Sequence, residues 1–128
     1  MALEMNDFDQ GFLVGVLVGE GSFGGDGRQP QVSLRMHVRH EALFRWLERS
    51  VPGSKLYGPY DHGGRAYFQW MVRGSTLVEG LLPLLEARIH SELDGHSATR
   101  LGDMLERYRE PIERLRARAR AATGEPDR

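Results

Sequence analysis

The chain has 128 residues, 17 basic and 18 acidic side chains, a formal charge of −1 and no cysteine. That length supports one domain with its own core, and the missing cysteines exclude disulfides and thiolate metal sites. A near-neutral charge argues against non-specific coating of nucleic acid, and the apolar run 12–18 is too short for a membrane span or a signal peptide, so a soluble, intracellular (cytoplasmic) protein is expected.

Charge is unevenly spread along the chain. Within residues 24–73, Arg28, Arg35, Arg39, Arg45, Arg49, Lys55, Arg65 and Arg73 stand against only Asp26, Glu41, Glu48 and Asp61. The middle is basic and the flanks are acidic. Residues 1–5 carry no strong signal. A helix is predicted over residues 8–18, with Asn6 or Asp7 as its cap. Within and just beyond it, Gly11, Gly15 and Gly19 recur every fourth residue and share one face, while Phe12, Leu13, Val16 and Leu17 form another. Each helical glycine costs about 1 kcal/mol relative to alanine, so the stripe implies close approach of a second backbone. Glu20, an acid between two glycines, stands where the pattern stops.

Residues 21–28 read as a short strand entering a turn at Gly24-Gly25-Asp26-Gly27. Over residues 31–40, Val32, Leu34, Met36 and Val38 alternate with Gln31, Ser33, Arg35, His37 and Arg39, the pattern of a strand with one buried and one wet face. Residues 41–51 read as a helix with Leu43, Phe44, Trp46 and Leu47 turned inward, ended by Pro52-Gly53. Residues 54–60 and 65–73 form a second hairpin around Asp61-His62-Gly63-Gly64, in which Ala66, Phe68, Trp70 and Val72 alternate with Arg65, Tyr67, Gln69, Met71 and Arg73. Another helix opens at Ser75 and continues past Pro83 to Ile89. A last, charged helix over residues 97–121 is expected to break or kink at Pro111, and residues 123–128 form a polar tail. The glycine stripe has no second copy, so one domain is expected over 1–128, with a core over about 6–92 and a helical extension over about 96–121.

Leu13-Val14-Gly15-Val16-Leu17-Val18-Gly19-Glu20-Gly21 resembles the nine-residue LAGLIDADG motif of homing endonucleases, and Ser22-Phe23 continues it. The first Leu, the inner small positions, the second acidic position (Glu20) and the final Gly are kept, while the first acidic position is Val18. The order of predicted elements is similar to that family's core across residues 8–89. The resemblance implies an α+β fold: a LAGLIDADG homing-endonuclease-like αββαββα core with a saddle-shaped antiparallel sheet, helices on its other face, and further C-terminal helices.

The same resemblance implies chemistry. Single-motif members of the family pair as homodimers through the motif helix, here through Gly11, Val14, Gly15, Val18 and Gly19. Glu20, with Gly19 beside it, is then the metal-binding acid, and Mg²⁺ or another divalent cation relieves the repulsion between two Glu20 carboxylates. His40 stands where the family often has a polar residue that orients the attacking water, and Arg88 where it often has a lysine near the scissile phosphate. Their other readings are an N-cap for the helix over 41–51 and a solvated helix cation. Double-stranded DNA would be held by Ser22, Arg28, Gln31, Ser33, Arg35, His37 and Arg39 on the first hairpin and Lys55, Tyr57, Arg65, Tyr67, Gln69 and Arg73 on the second, since arginine reads guanine and glutamine reads adenine in the major groove. The implied activity is site-specific, Mg²⁺-dependent hydrolysis of DNA phosphodiesters. Two other classes stand beside it: a catalytically inactive DNA-binding relative acting as a regulator or RNA-splicing helper, and a plain dimerisation module. Asp61, His62 and His37 match no compact metal site.

Overall fold

The computed structural model describes residues 3–124; residues 1–2 and the end of the polar tail, 125–128, lie outside the described residues. Asn6 accepts a hydrogen bond from the Asp9 amide at 2.8 Å and so caps α1 (Asp7–Glu20). Leu13 and Leu17, four residues apart, are fully buried and dock this helix on the core. Phe12 does not share the face of Leu13 and Leu17 as expected: it is 45% exposed, and its ring meets Trp46 edge-on at 5.4 Å. The helical turn explains this, because seven residues bring the chain back to nearly the same direction and Phe12 shares its side with Gly19.

After α1 come β1 (Gly21–Gly25), β2 (Pro30–His37), α2 (Glu41–Ser50), β3 (Lys55–His62) and β4 (Arg65–Arg73). They build one antiparallel sheet in the order β1-β2-β4-β3, so the second strand of each hairpin is central. Residues directly opposite in an antiparallel ladder share a face. The pairs Phe23 with Val32, Val32 with Val72, Leu34 with Trp70 and Met36 with Phe68 therefore gather the apolar side chains on one side, which the helices cover. Trp70 is fully buried there. Its indole N–H donates to Ser54 Oγ at 2.9 Å, and that hydroxyl donates to the Val51 carbonyl at 2.6 Å, so both buried polar groups are satisfied.

Several predicted boundaries move. The strand expected over 31–40 ends at His37, where His37 Nδ1 accepts from the Arg39 amide at 3.0 Å and from Arg39 Nε at 3.2 Å. Those bonds turn the chain into a 3₁₀ segment, Val38–His40, so Arg39 leaves the strand and His40 precedes α2 without a side-chain capping bond. After β4 the chain is helical through a π segment, Thr76–Leu81, and α3 (Leu82–Arg88). Pro83 lies in the first turn of α3, directly after the π segment.

The charged C-terminal helix is two helices, α4 (Ser91–Arg107) and α5 (Arg109–Thr123). α4 starts before Ser97, but Asp94 is extended within it, and its carboxylate accepts from the Ser97 amide at 3.1 Å and the Ser97 hydroxyl at 2.6 Å. Asp94 is thus the cap of the helix's main body. The later break falls at Tyr108 rather than Pro111. Pro111 sits in the first turn of α5, where no helical bond needs its missing amide. The break at Tyr108 seats its ring in the core and lets its hydroxyl accept from the Gly27 amide at 3.1 Å. Among the described residues, no helix is long and apolar enough to cross a membrane.

Candidate nucleic-acid interface

The strand register decides what the helix-free face of the sheet presents. Ser22 pairs with Ser33, Gln31 with Arg73, Arg35 with Gln69, His37 with Tyr67, Lys55 with Met71, Tyr57 with Gln69 and His62 with Arg65. Ser22, Gln31, Ser33, Arg35, His37, Lys55, Tyr57, Arg65, Tyr67, Gln69 and Arg73 consequently lie on one face, opposite the core. Arg35, His37, Lys55, Tyr57, Arg65 and Arg73 are exposed, and Gln31, Ser33, Tyr67 and Gln69 are half-buried. The Arg35 guanidinium lies over the Tyr67 ring, 4.9 Å from its centre, a cation–π contact.

Two residues predicted on this face sit at its margins. Arg28 lies in the turn after β1, where Asp26 accepts from the Gln29 amide at 2.7 Å and the Arg28 amide at 2.8 Å. Those bonds, that from Gln29 first, hold the Asp26 carboxyl below its ordinary range. Tyr108 ties the same turn to the helical layer. Arg39, although off the strand, lines a groove of about 690 Å³ together with Arg35, His37, His62, Arg65 and Tyr67. Cations therefore stand at both ends of the face, with Arg35, Arg39 and Arg65 at one and Arg28, Lys55 and Arg73 at the other.

Glu20 closes α1 at one edge of this face and is exposed. The chain turns sharply at Gly21, whose N–H bonds the Leu17 carbonyl. A Cβ on Gly21 would lie 2.7 Å from Leu17 O and 2.9 Å from Leu17 Cα, so the helix-to-strand corner admits only glycine. Arg100 of α4 holds the corner from behind. Its Nη1 donates to the Gly21 carbonyl at 2.8 Å, and its Nη2 donates to the Val18 carbonyl at 3.3 Å and to Ser97 Oγ at 3.1 Å. Its guanidinium also lies 4.9 Å from the Phe23 ring centre. These charge-assisted bonds offset a buried Nε that has no partner, an arrangement costing about 1–3 kcal/mol.

The other residues expected beside Glu20 are elsewhere. Arg88 donates to Gln10 Oε1 at 3.2 Å and lies 4.0 Å from Asp7 Oδ1. α3 thus packs against the start of α1, and the ten residues from Gln10 to Glu20 span about 15 Å of helix. Within its own chain Arg88 stands at the start of α1, on the rim of the groove that Gly15 and Val18 line. His40 ends the 3₁₀ segment half-buried and makes no hydrogen bond to Glu20. Among the described residues, no three His, Asp or Glu side chains converge as a metal site within one chain.

The glycine stripe is open. A methyl group placed on Gly11, Gly15 or Gly19 would meet nothing within 4 Å. Gly11, Val14, Gly15 and Val18 line a groove of about 510 Å³ rimmed by Asp7, Arg88 and Leu93. Val14, expected at an interface, is only 5% exposed and belongs mainly to the chain's own core as the floor of this groove. Phe8 is 79% exposed, so the open side of α1 is bulky near Phe8 and Phe12 and bare near Glu20.

No protein-family model matches the sequence, and no curated protein matches it. Solved structures do match. The homing endonuclease I-TnaI is 16% identical over 91% of this chain and 77% of its own, with a TM-score of 0.61. The group I intron-encoded homing endonuclease I-CeuI, complexed with DNA, is 15% identical over 80% of this chain and 56% of its own, with a TM-score of 0.59. I-LtrWI, described as a LAGLIDADG homing endonuclease bound to target DNA, is 11% identical over 90% of this chain and 43% of its own, with a TM-score of 0.51. The chain has the LAGLIDADG homing-endonuclease fold. It spans just over half the length of I-CeuI and under half that of I-LtrWI.

Within this LAGLIDADG fold, alternation along β3 missed two side chains. Tyr57 pairs with Gln69 and Tyr60 with Tyr67, so one extra residue of β3 stands against β4 and the phase switches. Tyr60 and His62 join the open face in place of Pro59 and Asp61, and the Tyr60 and Tyr67 rings lie 5.5 Å apart. Gly58 permits the bulge, with φ at +106 and Tyr60 N and Tyr67 O both 3.0 Å from any added Cβ. Gly58-Pro59 was the available sequence signal. Arg100 had no local signal at all.

Proposed function

We propose that the chain is a homodimeric, divalent-metal-dependent endonuclease that cuts double-stranded DNA at specific sites. The observation that carries this reading is the register, which gathers Gln31, Ser33, Arg35, Gln69 and Arg73 on one helix-free sheet face that borders the Glu20 corner. Arginine and glutamine are the side chains that recognise guanine and adenine edges, and guanidinium groups also pair with phosphates. I-CeuI and I-LtrWI, which share the fold, were solved with DNA bound.

A second copy suits the open side of α1. Bare backbone at Gly15 and Gly19 permits close helix approach beside Glu20, while Phe8 and Phe12 hold the paired helices apart at the other end. Two-fold pairing of this kind brings two Glu20 carboxylates together, and divalent charge between them relieves their repulsion. An exposed carboxylate with no cation partner among the described residues fits a hard ion such as Mg²⁺ as one oxygen donor beside the Gly19 backbone, the partner's Glu20 and DNA phosphate supplying others. When bound, such an ion stabilises the charge that develops on the phosphate during hydrolysis. The chain's own part is to bind and orient the duplex through the sheet and to fix each Glu20 at its centre.

A metal-dependent cleavage assay on a randomised duplex library tests the reading. Native protein is expected to cut with Mg²⁺, and Glu20→Gln to bind without cutting. Cutting that survives the substitution removes Glu20 from its role, and binding whose affinity does not fall with rising salt sinks DNA recognition. A second reading, a DNA-binding relative acting as regulator or RNA-splicing helper, rests on Val18, a half-buried apolar residue where the motif has its first acid. Native protein that binds duplex DNA but cuts with no divalent cation selects that reading.

A further inference from the structure

The Asp94-Ser97-Arg100 chain of hydrogen bonds runs from α4 to the Val18 and Gly21 carbonyls, which lie on either side of Glu20 in the sequence. From this geometry we infer that Arg100 is a positioning residue: it holds the α1–β1 corner, and with it the Glu20 carboxylate, in place for phosphodiester cleavage. The inference rests on the reading of Glu20 as the acid of the reaction centre.

Three features carry it. First, the contact spans 79 and 82 residues of sequence to Gly21 and Val18, and the cation ends on backbone oxygens at both. Backbone contacts fix the path of the chain whatever the side chains do. Second, Val18 contributes one of the last carbonyls of α1, which have no intrahelical partner, so the guanidinium closes the negative end of the helix dipole at the point where the Glu20 carboxylate is added. Without that cation, repulsion from the helix end favours swinging the Glu20 carboxylate away or fraying the last turn. Third, Arg100 is itself braced. Ser97 is fully buried, accepts from Nη2 at 3.1 Å and donates to Asp94 at 2.6 Å, and the guanidinium is stacked on Phe23. A planar fork held at three points is a rigid support in a way that a flexible ammonium is not.

The role differs from that of a phosphate-binding arginine. The guanidinium donates inward to protein carbonyls rather than to solvent, so its loss is expected to spare DNA affinity and to act on the cleavage step. It also differs from plain structural support, which would lower stability without separating binding from cleavage.

The test uses the intact dimer, a duplex recovered from a randomised library by the native protein, and Mg²⁺. Arg100→Met is expected to bind that duplex within threefold of native in metal-free buffer while its single-turnover cleavage falls tenfold or more. Exchange of the Gly21 amide hydrogen is expected to accelerate at least tenfold, and Arg100→Lys to recover part of both losses. A folded Arg100→Met dimer that cleaves at the native rate with native Gly21 exchange overturns the inference, as does a variant whose loss lies entirely in DNA affinity. Should Arg100→Met fail to fold, Ser97→Ala, which removes only the brace, is expected to show the same split at smaller size; native rate and exchange there overturn it. Should Glu20→Gln cleave normally, the reading of Glu20 fails instead. Gly21 exchange then decides the anchor by itself: faster in Arg100→Met supports it, unchanged refutes it.

Discussion

Replacing Gly15 with leucine should move the stability of the single chain and the affinity of the dimer in opposite directions. Within one chain the position is open: no atom lies within 4 Å of an added Cβ, and the groove beside it holds about 510 Å³. Leucine is a far better helix former than glycine, so the isolated chain gains a little under about 1 kcal/mol, or roughly 3–5 °C in melting temperature for a domain of this size. In a two-fold helix pair the same side chain enters a contact built for bare backbone. Overpacking costs about 1–3 kcal/mol per clash, and the symmetry axis repeats it, giving about 2–6 kcal/mol and a dissociation constant raised about 30-fold or more. Sedimentation across a dilution series reads the second effect. Thermal melts well below the dissociation constant read the first. Gly15→Ala should show the same signs at smaller size. A leucine variant with native dimer affinity refutes the interface, and one whose monomer melts lower shows that Gly15 is packed within its own chain.

Other outcomes follow from single contacts. Ser54→Ala leaves the buried Trp70 indole N–H without its 2.9 Å acceptor, a loss of about 1–3 kcal/mol visible as a lower melting temperature; a native melt would show the bond to be dispensable. Arg35→Ala should weaken duplex binding, and if Arg35 neutralises a phosphate, make the plot of log affinity against log salt shallower by about 1; unchanged affinity takes it off the interface. Asp94 is held below its ordinary value of 3.8, mainly by the Ser97 hydroxyl and then by the Ser97 amide. A depressed folded value means that its contribution is complete above about pH 4 and is lost as pH falls through the folded value. Asp94→Asn should accordingly flatten the acid end of the stability curve below about pH 4, and an acid transition identical in both proteins removes the cap from that role.

What could be read from the residues was what short-range periodicity controls. Alternation placed Val32, Leu34, Phe68, Trp70 and Val72 in the core, because a one-residue slip would have moved all of them to water, and the polar partners then fell on the open face by necessity. The alternation failed where one strand gains a residue against its neighbour. The shift between Tyr57 and Tyr60 is a property of the β3–β4 pair, and Gly58-Pro59 marks a disturbance without saying which side chains change face. Pro111 misled for a related reason: proline breaks a helix interior but fits a first turn, so its effect depended on a break that Tyr108 supplied through a distant contact with Gly27. Arg88 was singled out by the resemblance alone, and its place in the chain follows from how α3 lies across the beginning of α1. Arg100, whose partners are 79 and 82 residues away, left no trace in local pattern.

α1 joins these observations into one argument. Its inward side, Leu13 and Leu17, suffices to dock it on the sheet, and its last turn is closed by Gly21 and Arg100. None of those contacts uses Gly11, Gly15 or Gly19, which face open space. Three helical glycines in place of alanine forgo about 3 kcal/mol, a substantial part of the roughly 5–15 kcal/mol that holds a domain folded. Nothing among the described residues returns that loss, because a methyl group at any of the three would be accommodated without a clash. The proposed dimer would supply compensation from outside the chain, through a surface that approaches closer than a methyl group allows. The bare half of the stripe lies beside Glu20 and the bulky half beside Phe8, so the approach is closest at the acid. In the proposed dimer, a second α1 related by a two-fold axis would meet that requirement with its own glycines, and Arg100 would keep each Glu20 at the point where the two helices come nearest.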